Sequence, residues 1–298
     1  MLGRNTVEVL HAAGYTTLLT PTSAELDLRN AEKVKAYFNE HKPEYVFHLA
    51  ARVGGIKANM MYQADFLHDN LQLDSAVIDA SREYGVTKFI AMASSCMYPR
   101  LCPQPMNEDM LLTGPLEPTN EGYAIAKIAS VKLCQYYHKQ HGLNAFSLVA
   151  PNMYGIYEKF DLEHSHVLSA FIMRFHKAKE EGAKEVVMWG TGSPRREFLF
   201  ARDMAKALLL GMQEWNAADL DLGFMNIGTE SDVSIKELAE MIQSAVGYEG
   251  SLVWDTSKPD GMPRKLMDST RAAAHGWKAP TSLEQGIREM YEHYRSTI

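Results

Sequence analysis

Ser94, Tyr123 and Lys127 are the residues whose types and order could do chemistry in this chain. Tyr123 and Lys127 are four apart, so on a helix they share one face. An ammonium beside a phenol favours the phenolate and draws its pKa down from about 10. A serine hydroxyl facing that phenol could hold a substrate carbonyl. Together the three would give a proton to a carbonyl that is receiving hydride. A Tyr and a Lys at this spacing also occur on many helices as a half-buried ring beside a solvated cation. Their meaning depends on what precedes them.

What precedes them is an apolar run, Phe89-Ile-Ala-Met-Ala93, that ends in Ser94-Ser95-Cys96-Met97-Tyr98-Pro99. The run is short, does not alternate, and is bounded by turn formers, which predicts a buried parallel strand. Small polar residues at the carboxyl end of such a strand lie where open α/β sheets bind ligands. A Pro-rich loop from Pro99 to Pro118 then leads into the Tyr123 helix, which closes near Gly142.

The rest of the first half alternates in the same way. A helix over about Asn5 to Ala13 ends at Gly14, and Tyr15-Thr-Thr-Leu-Leu19 reads as a strand. A helix follows from an Asn30 cap to His41, then the strand Tyr45 to Ala50, a turn with Gly54-Gly55, and a long helix from about Asp65 to Tyr84. That helix carries apolar and charged faces and could meet a partner subunit as well as the sheet. Ala145 to Val149 is a further strand, and Pro151-Asn152-Met153-Tyr154-Gly155 suits a ligand-contacting turn. Helix and strand joined by short links predict a doubly wound parallel sheet, a Rossmann-like α/β fold, with a smaller α/β substrate domain behind it. We place the domains at 1–152 and 153–298, with some later segments returning to the first.

Beyond residue 153 the pattern loosens. His164-Ser165-His166-Val167 opens a helix to about Glu181, where a histidine is commonly a cap or a surface group. Glu185 to Trp189 and Leu252 to Trp254 read as strands, Asp203 opens a helix, and Ser234-Ile-Lys-Glu237 and Thr281-Ser-Leu-Glu284 read as capping boxes. Arg196, Arg264 and Lys265 fall in turns, where contacts to phosphate are natural.

Composition narrows the classes. The chain has 298 residues, 46% of them hydrophobic, enough for a large core. A net charge of −7 with both signs intermixed argues against a nucleic-acid surface. Three cysteines without paired spacing make neither a disulfide framework nor a metal site. No apolar run nears the roughly 20 residues of a membrane span, and no leader pattern is evident. A soluble cytoplasmic protein is the expectation.

The full set of motifs is more specific than any one of them. Ser94-Ser-Cys-Met-Tyr-Pro99, Glu117-Pro-Thr-Asn-Glu121, Tyr123-Ala-Ile-Ala-Lys127, Pro151-Asn-Met-Tyr-Gly155, His164-Ser-His-Val167, Trp189-Gly190, Arg196-Glu-Phe198 and Lys258-Pro-Asp-Gly-Met-Pro-Arg-Lys265 span the chain. Together they resemble the GDP-L-fucose synthase family, bifunctional epimerase/reductases within the extended short-chain dehydrogenases/reductases. The resemblance implies a GDP-4-keto-6-deoxymannose substrate, epimerised at carbons 3 and 5 and then reduced at carbon 4 by NADPH. It gives Ser94, Tyr123 and Lys127 to the hydride step and makes Cys96 and His166 the proton exchangers. It implies cofactor contacts from Gly3, Asp27, Leu28, Ser94, Tyr123, Lys127, Asn152, Met153 and His166. Arg174, Trp189, Arg196 and Asp260 are the implied GDP-sugar contacts, Arg174 standing where the family usually has lysine. It also implies a homodimer built on helices of the first domain, and no metal.

Cys96 read alone could equally be a small buried filler. Two other functions fit the fold: a non-catalytic sugar-nucleotide or protein-binding remnant, and a redox-neutral NAD-dependent epimerase or dehydratase. Gly3 matches the last glycine of a G-x-x-G-x-x-G phosphate turn, or is merely a flexible terminal residue. On the first reading the sheet lacks its opening strand, and we expect weak NADPH binding and poor folding for the chain as it stands.

Overall fold

A computed structural model of the chain describes residues 1–161 and 166–298. His164 and Ser165 of the sequence motif lie outside the described residues.

The central sheet has four parallel strands: β1 (Tyr45–His48), β2 (Lys88–Ser94), β3 (Ala145–Ala150) and β8 (Phe224–Asn226), in that spatial order. β3 is buried along its whole length and β2 as far as Ala93, which is why both read as unbroken apolar runs. β1 forms an edge, with Tyr45 half exposed. Helices α1 (Leu2–Ala12), α2 (Ala31–His41), α3 (Ile56–Met61), α4 (Gln63–Glu83), α5 (Glu121–His141) and α7 (Ala201–Glu214) flank the sheet. α7 and α1 pack together over one face through Leu2, Met204 and Leu208, while α2, α4 and α5 cover the other through Val34, Ile78 and Cys134. The doubly wound parallel α/β architecture expected from the alternation is present.

A second core lies among α6 (Val167–Glu180), α8 (Ile235–Val246) and α10 (Leu283–Thr297), with Phe175, Ile242 and Met290 at its centre. Three small sheets belong to this half. β4 (Asn152–Tyr154) pairs with β7 (Phe198–Phe200), and β5 (Glu185–Trp189) pairs with β10 (Ser251–Asp255). β6 (Arg195–Arg196) lies between β9 (Val233–Ser234) and β11 (Arg264–Lys265). The short helix α9 (Thr270–Ala274) packs near β8.

Local signals set most boundaries. Asn30 Oδ1 accepts from Lys33 N at 3.0 Å to cap α2, and Ser234 and Glu237 form the reciprocal box at α8. At α10 the cap is one residue later than predicted. Ser282 Oγ accepts from Gln285 N, while Thr281 N and Oγ1 donate to Asp203. The tertiary carboxylate wins Thr281, and the next hydroxyl takes the cap.

The predicted strand over Tyr15–Leu19 is absent. Residues 15–19 have no regular secondary structure, and Tyr15 and Leu19 are each 45% exposed. Strand propensity becomes a strand only when a neighbour offers a ladder, and none pairs with this segment.

Candidate active site

Ser94 ends β2, and the chain turns at once into a single 3₁₀ turn, Ser95–Met97. The Ser94 hydroxyl caps that turn, accepting from Cys96 N at 3.5 Å. Tyr98 pins the turn to the far side of the sheet, its hydroxyl donating to Asn226 Oδ1 on β8 at 2.6 Å. Cys96 is thereby buried two residues beyond the strand end.

Tyr123 and Lys127 lie in the first two turns of α5. The entry to this helix is held by Gln63, whose side-chain amide donates to Pro118 O at 3.1 Å and accepts from Gly122 N. Gly122 has to be glycine here, because a Cβ would stand 2.5 Å from Gln63 O. Phe66 of α4 meets the Tyr123 ring edge-on at 6.5 Å between centroids, and Arg52 covers the other side of Phe66. The Lys127 ammonium is 6.0 Å from the centre of the Tyr123 ring, as a shared helix face requires.

Two residues absent from the sequence-based site complete this cluster. Lys127 is buried, and its ammonium pairs with Asp74 Oδ2 of α4 at 3.5 Å. The other Asp74 oxygen meets His48 Nε2 of β1 at 2.6 Å. All three side chains are almost fully inaccessible. Burial alone would raise the Asp74 carboxyl, but Lys127 and His48 outweigh it and hold it below the ordinary range.

The expected effect of Lys127 on Tyr123 is reversed in the free molecule. Burial pushes the phenol well above its usual pKa, and the neighbouring Cys96 and Asp74 push in the same direction. The ammonium that was to pull it down is already matched by Asp74. At neutral pH Tyr123 is therefore a protonated acid. Cys96 is also pushed up, chiefly by burial, against the opposing pull of Lys265, Ser94 and Lys127. Lys265 is pushed down by its own burial.

The other predicted residues fall into three places. His166 is exposed at the N-cap of α6, where its carbonyl accepts from Ala170 N and Ser169 Oγ. Trp189, Arg196 and Asp260 gather around one loop. Trp189 is 70% exposed at the end of β5, with the Lys258 ammonium over its ring. Asp260 accepts from Thr191 N at 2.9 Å and Thr191 Oγ1 at 2.7 Å. Arg196 donates to Met262 O at 2.6 Å, and burial lowers its pKa. Arg174, on α6, donates to Val187 O of β5 at 3.2 Å, two residues before Trp189 on the same strand. Arg264, expected to be free for phosphate, is instead paired with Asp232, which also takes Arg195.

The cofactor candidates lie mostly around the first sheet. Gly3 is in the first turn of α1, whose N-cap, Met1, makes no side-chain capping hydrogen bond, and a Cβ at Gly3 would meet nothing within 4 Å. Asp27 is held near pKa 2 chiefly by its hydrogen bonds from Arg29, and Leu28 packs on the α2–α4 core. Arg29 and Arg52 both reach Asp69, tying that turn to the glycine turn after β1. Asn152 Nδ2 donates to Glu197 O at 3.0 Å, and Met153 sits beside it, half buried on β4. No cluster of metal-ligating side chains occurs among the described residues.

Comparison with known proteins gives the family. The sequence pattern of the NAD dependent epimerase/dehydratase family matches residues 1–228. The probable GDP-L-fucose synthase 1 of Oryza sativa subsp. japonica is 48% identical across the whole of this chain, which covers 90% of that protein. Among solved structures, a GDP-6-OMe-4-keto-L-xylo-heptose reductase from C. jejuni superposes with a TM-score of 0.95 at 36% identity, covering 100% of this chain and 95% of that one. A GDP-mannoheptose C4 reductase from Campylobacter jejuni with NADP bound gives 0.91 at 38% identity, covering 99% and 95%. With more than half of its length matched by that family pattern and a relative 48% identical across the whole of it, the chain belongs to the NAD dependent epimerase/dehydratase family.

Proposed function

We propose that this chain converts GDP-4-keto-6-deoxy-D-mannose to GDP-L-fucose, epimerising the carbons on either side of the ketone and reducing the ketone with NADPH. One observation carries the reading. Cys96 is buried in the turn directly after Ser94, its backbone N–H donating to the Ser94 hydroxyl at 3.5 Å, and it lies within electrostatic reach of Lys127 and Tyr123. Reduction alone has no use for a second acid at that place, whereas epimerisation next to a ketone does. The 48% identity to a named GDP-L-fucose synthase over the whole chain supports the same choice over a redox-neutral epimerase or a non-catalytic remnant.

The donor set suits a dinucleotide. Among the described residues, no hydrogen bond engages the Tyr123 hydroxyl, and Lys127 has Asp74 as its one ion-pair partner. These donors can hold a ribose diol, with Ser94 at the end of β2 and Asn152 and Met153 on β4 after β3, and His166 is assigned to the same cofactor. The uncapped first turn of α1, with Gly3, suits an anionic group. Asp27 and Leu28 mark the turn for the adenosine end. When bound, NADPH supplies the hydride.

The chain's own residues do the rest. Removing a proton next to the ketone puts negative charge on the carbonyl oxygen, where the Ser94 and Tyr123 hydroxyls stabilise it. Cys96 and His166 take and return protons at the epimerised carbons, one acting on each face. Tyr123 finally protonates the oxygen of the reduced carbon. Arg174, Trp189, Arg196 and Asp260 hold the GDP-sugar, so residues 1–152 serve the cofactor and 153–298 mainly the substrate. Leu71 on α4 and Ile125 and Tyr136 on α5 are exposed, which supports a homodimer through these helices. Three free cysteines fit the cytoplasm, and no helix among the described residues could cross a membrane.

The test is to mix the protein with NADPH and the 4-keto sugar nucleotide and to follow nicotinamide absorbance and product identity. GDP-L-fucose is the expected product; a product still carrying the original centres at carbons 3 and 5 would leave a plain reductase. Arg196→Ala is expected to raise KM for the GDP-sugar by about tenfold or more, the scale of one lost charge-assisted contact. NADPH affinity should change little, and equal losses for both ligands would contradict this division between the two halves.

A further inference from the structure

The pair Asp74–His48 lies outside every role assigned above, yet it touches the catalytic lysine. Asp74 is 53 residues before Lys127 in sequence and reaches it across the α4–α5 packing, at 3.5 Å. Its second oxygen is fixed by His48 at 2.6 Å, from the adjacent strand. A buried carboxylate is costly unless paired; here Oδ1 is hydrogen-bonded by His48, and Oδ2, which has no hydrogen bond, has the Lys127 ammonium as its compensating charge. A merely structural ion pair would serve anywhere on this interface. This one is made with the one lysine that stands beside Tyr123.

We propose that Asp74, held by His48, is a positioning residue that anchors the Lys127 ammonium beside Tyr123 and tempers its field at the phenol, so that Tyr123 stays protonated while Lys127 keeps a ribose within reach. The inference rests on the function proposed above. Without Asp74 the buried ammonium would be mobile and uncompensated. With it, the charges of Lys127 and Asp74 largely cancel at the ring, and the phenol keeps its proton as an acid should. The other titratable groups facing this cluster are Cys96 after β2, Lys265 beyond it on β11, and Cys134 further along α5. Cys134 is pushed up to about 12, chiefly by burial, and remains a neutral thiol.

The test uses Asp74→Asn, the conservative Asp74→Glu, Lys127→Met and the double variant Asp74→Asn/Lys127→Met. Thermal denaturation reads the anchor without reference to turnover. Each single variant should lower Tm, and the double variant should recover part of the loss of Lys127→Met, because it no longer buries an unpaired carboxylate. Strictly additive losses overturn the anchor. The pH profile of NADPH-driven reduction reads the effect on Tyr123. In Asp74→Asn the alkaline limb should move down by about one pH unit, because the Lys127 charge is no longer compensated. Asp74→Glu should restore the limb. A limb that stays in place or moves up in Asp74→Asn, with the fold retained, overturns the tempering role. If the unaltered enzyme fails to reduce the 4-keto sugar, the proposed function falls, while the thermal cycle still decides the anchor.

Discussion

Replacing Tyr123 with phenylalanine is expected to lower the rate of ketone reduction by roughly 10²–10⁴-fold, the usual worth of a positioned general acid. The ring should keep its place, since Phe66 meets it edge-on and Gly122 docks the helix against Gln63 without help from the hydroxyl. The loss should therefore be in kcat, with Tm nearly unchanged. NADPH affinity should fall only modestly, because Lys127 remains anchored by Asp74. Burial holds the phenol protonated far into the alkaline range before ligands bind, so the unaltered enzyme should show no loss of acid function across neutral pH. Stopped-flow nicotinamide absorbance on the two proteins measures the difference. Turnover near that of the parent in Tyr123→Phe would remove Tyr123 from the reaction.

The contrast between what the sequence shows and what it hides has physical causes. β3, and β2 as far as Ala93, are buried, so their positions are written as plain apolar runs. The Tyr123–Lys127 face is equally legible, because helix spacing fixes it locally. Tyr15–Leu19 misleads for the opposite reason: its propensity is local, but a strand requires a partner that no local pattern reveals. Arg264 also misleads, since a guanidinium in a turn looks free until Asp232 arrives from a different part of the chain. Asp74 was hidden among the acids of α4. Asp65, Asp69 and Asp79 pair with arginines or lysines at or near the surface, while Asp74, on the same helix, faces inward. Nothing within one turn of α4 announces Lys127. That signal exists only in the pairing of two helices, so the counter-charge on Lys127 could not be read beforehand, nor the burial that raises Tyr123.

Cys96→Ser is expected to slow proton exchange at the epimerised carbons by roughly 10²–10⁴-fold while leaving the hydride step able to proceed. The thiol is buried and its pKa raised, so at neutral pH it is a proton donor first, and Lys265 beside it eases the passage to thiolate when it must act as a base. A serine hydroxyl in the same place is a far weaker acid and cannot complete the inversion at a useful rate. Ser94 and Tyr123, to which the proposed function gives the oxygen in both steps, are untouched by the change. The variant should therefore keep its NADPH affinity and consume NADPH slowly, yielding a reduced sugar that retains an original centre at carbon 3 or 5. His166→Asn, altering the group at the N-cap of α6, should impair exchange as well, with the fold intact because its backbone carbonyl makes the helix contacts. Mass spectrometry of the sugar nucleotide after incubation in deuterium oxide reads the exchange directly, and product stereochemistry reads the consequence. Exchange at the parent rate in both variants would place the acid and base on other residues, and the buried Cys96 would then be a packing residue beside a simple reductase site.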